Sequence, residues 1–414
     1  MANMQDKFEV IVAGGGMVGL TLGLALAQAG IETAVVDGLD PAAVVDAKFD
    51  GRVSSFSPAS RRLLDALGLW AQLKTQAQPI GDIIVGDGSV REGASAALLH
   101  FDHREMGEAP LAHMIENRHF RMALQRGVEG ASALTLIAPE RVLAATVERN
   151  FVDVQLGSGR RLKASLIVAA DGRDSPLREA MGIKTVGWSY KQTGIVATIG
   201  HEKPHDGTAY ELFFGSGPFA ILPMTGYRSS IVWTERVDQA PAYLKLDDAA
   251  FIAEVAQRFG DQWGRLSLEG PRWSYPLSMH LAMSYVAPRF ALAGDAAHGV
   301  HPIAGQGLNL GLRDAAALAE VIVEARSLGL DIGSEGALAR YQTWRRFDNA
   351  LFTASFDALN RLFSNDIAPL AAMRRVGLDV VDSIAPLKRF FMQQASEGTG
   401  ALPKLMRGPS AAGL

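Results

Sequence analysis

The 414-residue sequence contains no cysteine. Disulfides, thiolate catalysis and cysteine-ligated metals are therefore excluded, and the absence is compatible with a reducing compartment. Neither sign of charge predominates, because 40 Lys and Arg stand against 44 Asp and Glu, and such a balance does not indicate a nucleic-acid-binding surface. No spaced histidine–carboxylate cluster of the metal-binding kind is present. Catalytic chemistry would then depend on a bound organic cofactor.

One uncharged segment, residues 10–31, is long enough to span a bilayer. It contains six glycines, and the residues before it, Asp6, Lys7 and Glu9, do not form a basic leader. We therefore expect neither a membrane anchor nor a signal peptide, and we expect a cytoplasmic protein. Hydrophobic residues make up 48% and charged residues 20% of the chain, which predicts a globular protein with two or more domains.

A glycine motif follows the predicted strand at residues 9–13. Its pattern, Gly14-x-Gly16-x-x-Gly19, is the dinucleotide-binding fingerprint. The first glycine makes the tight turn, the second lets the backbone approach a pyrophosphate, and the third permits close packing of helix on strand. The cofactor contacts predicted in this motif are Gly14, Gly16, Met17, Val18 and Gly19.

An acidic residue ends the next predicted strand, residues 33–36. This residue is Asp37, eighteen positions after Gly19, where a carboxylate is placed to hold the hydroxyl pair of a ribose. A merely structural βαβ unit is the alternative reading of the glycine motif. The ordered set of glycines, helix, strand and acid favours dinucleotide binding.

A second glycine-rich segment follows the predicted strand at residues 290–293. It contains Asp295 and leads into a helix predicted over residues 307–325. Such a turn directs several backbone N–H groups and the positive end of a helix dipole to one place. This environment suits an electron-rich ring that must hold negative charge. Together with the N-terminal motif, the segment predicts a flavin.

Three motifs in order give the sequence a specific resemblance. They are the motif at 14–19, then Ala170-Asp171-Gly172-Arg173-Asp174-Ser175-Pro176-Leu177-Arg178, then Gly294-Asp295 continuing into His301-Pro302-Ile303-Ala304-Gly305-Gln306-Gly307-x-Asn309-x-Gly311-x-x-Asp314. On these residues the chain resembles the class A FAD-dependent aromatic hydroxylases and, within them, the UbiH/VisC monooxygenases of ubiquinone biosynthesis. Residues 50–57 and 116–118 are similar to further cofactor-contacting segments of that family.

The resemblance implies individual roles at the adenosine and phosphate end of FAD. Asp37 would hydrogen-bond the adenosine ribose, and Val142 would lie near the adenine. Arg52 and Arg118 would neutralise phosphate or ring charge, although Arg118 could equally be a surface charge on a helix. Asp171 would contact the pyrophosphate side of the flavin and influence the engagement of NAD(P)H.

The resemblance also implies contacts at the flavin end. Asp295 would hydrogen-bond the ribityl chain. For His298 and His301, capping of the turn and a catalytic role both stay open, and Asp174, Arg178 and Asp314 are expected to be structural. The remaining implied cofactor contacts are Gly294, Pro302, Gly305, Gln306, Gly307, Leu308 and Asn309, of which Pro302, Gly305 and Asn309 would lie beside the isoalloxazine.

The family's fold implies an α/β protein, a Rossmann-like FAD-binding domain of the para-hydroxybenzoate hydroxylase fold with an inserted α+β substrate domain and a helical C-terminus. Alternating strand and helix patterns change to longer strands at about residue 187, which agrees with an insertion. The predicted ranges are 1–75, 110–186 and 286–345 for the FAD-binding domain, 76–109 and 187–285 for the substrate domain, and 346–414 for the helical region.

The chemistry implied by the resemblance is NAD(P)H-dependent reduction of FAD, followed by O2 binding and oxygen transfer from a flavin hydroperoxide to a phenolic ring. Such an intermediate requires a substrate side without water. Candidate apolar wall residues, with an ordinary hydrophobic core as the alternative, are Tyr210, Leu212, Phe214, Phe219 and Leu222. No histidine or tyrosine is distinguished by the sequence as the base for the phenol.

We therefore expect a monooxygenase that hydroxylates a polyprenylated phenol or quinol precursor of ubiquinone. The alternatives are a hydroxylase of another phenol and a non-catalytic accessory protein of the quinone-biosynthetic assembly. Residues 373–414 alternate basic and apolar side chains, which indicates either contact with anionic lipid at the inner membrane or a partner protein, or a helix packed on the body. Other ubiquinone-biosynthesis proteins are the candidate partners.

Overall fold

The computed structural model describes residues 6–45, 48–89, 93–105, 107, 109–300, 305–363 and 400–408. The strands are β1 Lys7–Ala13, β2 Thr33–Val36, β3 Val53–Phe56, β4 Gln78–Ile80, β5 Asp82–Ser89, β6 Gly93–Asp102, β7 Ala112–Glu116, β8 Leu134–Ile137, β9 Val142–Val147, β10 Val152–Leu156, β11 Arg161–Ala169, β12 Thr185–His201, β13 Thr208–Phe214, β14 Gly217–Met224, β15 Arg228–Arg236, β16 Leu266–Ala282, β17 Val286–Ala287, β18 Phe290–Leu292 and β19 His298–Gly299. The helices are α1 Met17–Gln28, α2 Pro41–Val45, α3 Pro58–Ala66, α4 Trp70–Leu73, α5 Asn117–Glu129, α6 Pro176–Ala180, α7 Ala240–Leu244, α8 Asp248–Phe259, α9 Gly307–Ser327 and α10 Glu335–Phe363.

The first sheet carries the glycine motif at the end of its central strand. Its order is β17-β18-β11-β1-β2-β8, and β1 pairs in parallel with both β11 and β2. Val10, Ile11 and Val12 are fully buried, as expected for a parallel strand covered by helices on both faces. The carboxyl ends of β1, β2 and β11 therefore meet at one edge, where ligands of open α/β sheets bind.

The second sheet is built from the longer strands of the middle of the chain. Its order is β19-β16-β12-β15-β14-β13-β5-β6, and it is antiparallel except between β13 and β5. Helix α8 packs on one face, where Phe251, Val255 and Phe259 join a separate hydrophobic core. The opposite face contacts the small sheet β3-β7-β4 through a cluster that includes Ile80, Met114 and Ala209.

Two elements differ from the sequence-based expectation. We expect one helix over residues 111–129, but the structure has strand β7 followed by helix α5, which begins at Asn117. The strand forms because β7 pairs with both β3 and β4, and such non-local pairing overrides a helical pattern. The sequence predicts a strand over residues 193–200, and β12 extends well beyond these bounds. The sequence predicts no strand over the seventeen residues of β16.

The described C-terminal residues, 400–408, pack against the body of the protein. Leu405 and Met406 are buried in the first core, the Arg62 side chain donates a hydrogen bond to the Met406 carbonyl (2.5 Å) and the Lys404 backbone N–H donates to Glu320 (2.7 Å). Leu405 therefore does not face a lipid surface. The rest of the segment predicted to meet a membrane or partner lies outside the described residues.

Helix α10 runs through position 345, so the predicted start of the helical region at residue 346 falls inside a helix. The domain ranges themselves stay a prediction. Within the described residues, no helix is both long and apolar enough to cross a membrane.

Candidate functional site

The loop after β1 brings the first two motifs into contact. Gly14 has φ +104°, and a Cβ there would overlap the carbonyl oxygen of Ala170, the residue before Asp171. Gly19 likewise has no room for a Cβ, because its position faces the Gly14 carbonyl. Gly16 is different, since a Cβ at this position would meet no atom within 4 Å. The space beside Gly16 is therefore open to a ligand.

The carboxylate of Asp37 lies against this loop. Its Oδ2 accepts a hydrogen bond from the Gly15 backbone N–H (2.5 Å), and its Oδ1 accepts one from the Leu39 N–H (2.7 Å). The two bonds orient the carboxylate at the carboxyl end of β2. This is the position in which the sequence places a ribose-binding acid.

A cleft lies between the glycine loop and helix α5. Its empty volume, including space open to solvent, is about 430 Å³. Arg121, which no sequence motif distinguishes, lies in the lining of the cleft, and this guanidinium donates no hydrogen bond within the described residues. Burial and the charge of Arg52 lower the pKa of Arg121, while Asp50 and Asp37 act in the opposite direction. The lining residues are Gly15, Gly16, Met17, Leu20, Asp37, Leu39, Pro41, Val44, Arg121, Leu124, Gln125, Leu136 and Ala138.

Asp171 presents a buried acceptor without a partner. Its Oδ2 accepts a hydrogen bond from the Leu177 N–H (3.3 Å), but its Oδ1 is buried and unpaired within the described residues. Burial raises the pKa of the Asp171 carboxyl, which its hydrogen bond with Ser175 only partly opposes. An unpaired buried oxygen is costly, so its retention here indicates a ligand at this edge.

The third motif meets the first through one side chain. Val18 lies in the first turn of α1. A Cβ on Gly294 would be 3.2 Å from the Val18 side chain, and a Cβ on Gly311 would be 2.6 Å from it. Gly294 has φ +62° and opens a short 3-10 turn in which Asp295 is exposed. Helices α1 and α9 can approach this closely only because the two glycines lack side chains. All three motifs therefore converge on one cradle.

Within the described residues, no side-chain hydrogen bond caps the N-terminus of α9. Its N-cap, Gln306, makes no side-chain capping bond, and the first turn contains no acidic residue. Asn309 instead holds the helix in place, because its Oδ1 accepts from the Ser57 N–H (3.0 Å) and its Nδ2 donates to the Ser55 carbonyl (2.9 Å). The first N–H groups of α9 and its dipole remain available to an anionic or electron-rich ligand.

A buried polar network supports the third motif from behind. Asp314 accepts hydrogen bonds from the Gly294 N–H (3.1 Å), from His298 Nε2 (2.5 Å) and from Arg345 Nε (2.8 Å). Burial by itself would raise the pKa of the Asp314 carboxyl, but the charges of His298 and Arg345 outweigh it and lower the pKa. Asp314 is structural, as expected. His298 is oriented by that acid.

Comparison with known proteins agrees with this geometry. A family model described as FAD binding domain matches residues 7–347. The ubiquinone hydroxylase UbiL of Rhodospirillum rubrum is 49% identical over 97% of this chain and 92% of its own length. The 3-demethoxyubiquinol 3-hydroxylase of Escherichia coli is 33% identical over 94% and 98%. The chain belongs to the family of FAD-dependent aromatic hydroxylases.

Solved structures of low sequence identity show the same fold as this hydroxylase. The p-nitrophenol 4-monooxygenase PnpA of Pseudomonas putida DLL-E4 superimposes with a TM-score of 0.78 at 19% identity, covering 96% of this chain and 100% of that one. PqsL of Pseudomonas aeruginosa gives a TM-score of 0.69 at 22% identity, covering 90% and 100%. The predicted fold class, the FAD cofactor and the monooxygenase assignment are thus confirmed. NAD(P)H is the typical reductant of the family.

The cradle of the hydroxylase fits FAD. Two uncapped helix N-termini, those of α1 and α9, supply N–H donors for anionic groups, and the open side of Gly16 leaves room for a pyrophosphate. Gly305 has φ +61° and lies beside the Ser55 side chain, while a Cβ on Gly307 would be 3.8 Å from Val300. Leu308 packs against the first core. The predicted contact Pro302 lies outside the described residues.

The structure places the two predicted arginines of the hydroxylase on protein partners. Arg52 pairs with Asp50 (2.5 Å) and lies over the ring of Trp273. Arg118 donates to Glu116 (2.7 Å) and lies over the ring of Phe49. Neither is in the lining of the cleft beside Gly16. Arg121 follows Arg118 by three residues and therefore lies near it on the surface of α5. This helical spacing is the sequence feature that could have identified Arg121.

The predicted adenine contact and the five predicted wall residues all pack against hydrophobic cores or clusters. Val142 packs against the first core and does not line the cleft, whose wall near this point is Ala138. Leu212, Phe214 and Phe219 belong to the core beneath α8, and Tyr210 packs against it. Leu222 alone among the five predicted wall residues lies on the opposite face, where it joins the cluster with the small sheet.

Replacing Arg121 with leucine is expected to weaken FAD binding about 10- to 100-fold, because a charged hydrogen bond contributes about 1.5–3 kcal/mol. The matched control is Arg126→Leu, which removes an exposed arginine from the last turn of the same helix. The measurement is FAD titration of the apoprotein followed by flavin fluorescence. Equal affinities of the two variants would show that Arg121 does not bind the cofactor.

Proposed function

We propose that this protein hydroxylates the aromatic ring of a polyprenylated phenol or quinol precursor of ubiquinone. The proposal is supported by relatives that match the chain along nearly its full length. Two of them carry the names ubiquinone hydroxylase and 3-demethoxyubiquinol 3-hydroxylase. A third, the human ubiquinone biosynthesis monooxygenase COQ6, is 30% identical over 96% of this chain. NAD(P)H and O2 are the proposed co-substrates. Association with other proteins of ubiquinone biosynthesis is part of the same proposal.

The observation that carries the proposal is the convergence of the three motifs, because the second meets Gly14 through Ala170 and the third meets Val18 through Gly294 and Gly311. The N-termini of α1 and α9 would hold the pyrophosphate and the pyrimidine edge of the flavin, respectively. Bound FAD supplies the redox chemistry, since it takes electrons from NAD(P)H and activates O2 for insertion of one oxygen atom into the ring. The positive end of the α9 dipole favours the negative charge that the reduced ring must carry.

We propose the substrate side on the face of the second sheet that is turned away from α8. Part of this face, with Leu222 and Ala209, packs on the small sheet, and the part beside it carries Ala220 on β14 and Val232 on β15. This face also approaches residues 1–75 of the predicted FAD-binding domain. A Cβ on Gly51 would lie 3.2 Å from the hydroxyl oxygen of Thr198 on β12. An apolar wall there would keep water from the reacting oxygen and accommodate a prenyl chain.

The test is complementation of bacterial strains that each lack one quinone hydroxylase. Rescue of at least one strain is expected, with loss of the accumulated quinone intermediate and a gain of one oxygen atom by mass spectrometry. The control is a variant with the FAD cradle filled at Gly16, which should not rescue. Rescue of no strain, together with turnover of a small soluble phenol, would contradict the quinone assignment. A colourless protein that gains no flavin would indicate an accessory role.

A further inference from the structure

One amide in the cleft beside the glycine loop makes no hydrogen bond within the described residues. It belongs to Gln125 on α5, whose side chain lies in the lining of the cleft. Only 8% of the surface of this residue is exposed. Buried polar groups are normally paired, and a primary amide offers both a donor and an acceptor. An unpaired amide in the wall of a cleft therefore indicates a ligand that pairs with it.

Gln125 lies deeper in the cleft than Arg121. The charge of Asp37, at the carboxyl end of β2, acts on Arg121. Shortly after α5 ends, the Ala133 carbonyl accepts a hydrogen bond from the N–H of Thr33 at the amino end of β2 (2.9 Å). Helix α5 therefore runs alongside β2 away from the cofactor edge of the sheet. Gln125 follows Arg121 by four residues, which places it about 6 Å further along the helix.

The cleft around this amide is lined by apolar side chains. They include Leu20, Pro41, Val44, Leu136 and Ala138. Leu39 also lines the cleft, and its N–H is bonded to Asp37 (2.7 Å), yet 59% of its surface is exposed. A flat ring bound in the cleft would cover this apolar surface. The cleft suits a group with two apolar faces and a polar edge.

The mouth of the cleft carries the groups for the remainder of such a ligand. Gly16 leaves open space at the N-terminus of α1, where a phosphate is favoured. Asp37 presents its carboxylate at the end of β2, in the place of a ribose-binding acid. A phosphate and a ribose at the mouth direct the base of the same nucleotide into the cleft, towards Gln125.

We propose that Gln125 hydrogen-bonds the adenine ring of FAD and makes the cleft selective for that base. Adenine carries a 6-amino donor next to a ring nitrogen that accepts, and a glutamine amide matches this pair with its carbonyl oxygen and its N–H. A purine without the 6-amino group would leave the Gln125 carbonyl buried and unpaired, which is unfavourable. The proposal concerns the cofactor and does not depend on the proposed substrate.

The first test compares Gln125→Met with Gln72→Met, which makes the same change at an exposed position on α4. Methionine retains the length and the helix propensity of glutamine and removes the amide. We expect Gln125→Met to bind FAD and ADP at least about fivefold more weakly than the wild type. Its affinity for FMN, which lacks adenine, should be unchanged. Gln72→Met should match the wild type for all three ligands in titrations of the apoprotein.

The second test varies the ligand and begins with the wild-type protein. Calorimetric titration of the apoprotein compares ADP with purine riboside diphosphate, in which hydrogen replaces the 6-amino group. The wild type should bind ADP at least about threefold more tightly, the effect of one hydrogen bond. In Gln125→Met the two affinities should be equal. A purely structural role of Gln125 would weaken both ligands alike and leave their ratio unchanged.

Stability provides a further readout that separates the two roles. Because Gln125 makes no side-chain hydrogen bond within the described residues, Gln125→Met apoprotein should unfold at the same denaturant concentration as the wild type. Three results would overturn the proposal: equal FAD affinity of the two methionine variants, an equal loss of FMN and FAD affinity, or a wild type that does not distinguish the two diphosphates. Nucleotide titration is independent of the complementation test, so failure of the proposed function is recognised separately.

Discussion

Replacing Asp314 with alanine is expected to lower the free energy of unfolding by about 3–5 kcal/mol. The carboxylate lies fully buried between Arg345 and His298 and also accepts the Gly294 N–H. Its removal leaves the Arg345 guanidinium, which is 0% exposed, without its closest counter-charge. Arg345 keeps Asp348 at 2.9 Å, but the loss of one partner from a buried charge network is among the most destabilising changes known for single substitutions. Denaturant unfolding of the apoprotein, followed by circular dichroism, measures the loss.

The matched control is an exposed ion pair of similar chemistry. Arg326 contacts Glu9 at 2.8 Å, and the two side chains are 45% and 31% exposed. Replacing Glu9 with alanine should cost no more than about 1 kcal/mol, because exposed pairs contribute little. If Asp314→Ala lost no more stability than this control, the network behind Gly294 would not be a structural support.

Alanine at Gly16 is expected to abolish tight FAD binding while leaving the fold intact. A Cβ there meets no protein atom, and the residue already has an ordinary extended conformation with φ −68°. Only a bound pyrophosphate would be displaced, so affinity should fall at least about tenfold. The free energy of unfolding of the variant apoprotein should lie within about 1 kcal/mol of the wild-type value, because this is the typical effect of a change at an N-cap position. FAD titration and unfolding of the same sample separate the two effects.

Alanine at Gly14 provides the contrast. This residue has φ +104°, and its Cβ would overlap the Ala170 carbonyl. We expect the substitution to destabilise the apoprotein by about 2 kcal/mol or more, from backbone strain and overlap together. If both variants lost FAD and were equally stable as apoproteins, this result would contradict the difference that the structure shows between the two glycines.

The cofactor motifs were predictable from the sequence because only glycine satisfies their steric constraints. A left-handed backbone at Gly14 and close approach at Gly19 admit only glycine, so the residue types report the geometry directly. Asp37 was likewise predicted from its position at the end of the second strand. Helix α9 agrees with its predicted range to within two residues at its C-terminus.

Arg121 and the segment before it were decided by tertiary contacts. β7 has residues compatible with a helix, and its pairing with two other strands makes it a strand. That pairing also sets where α5 begins, and with it the direction of Arg121 towards the cleft. A sequence pattern contains no information about partners so distant along the chain.

The sequence alone determined that two far-apart glycine segments bind one dinucleotide cofactor, because glycine at these points reports a backbone conformation or a close approach that other residues do not permit. It also placed apolar residues on the strands around Phe219. Which side of those strands α8 covers was settled only by packing, and this places Phe214 in a core and Glu211 on the opposite face. Both faces contain apolar residues, so the difference between them arises from what lies against the sheet and not from the strand itself.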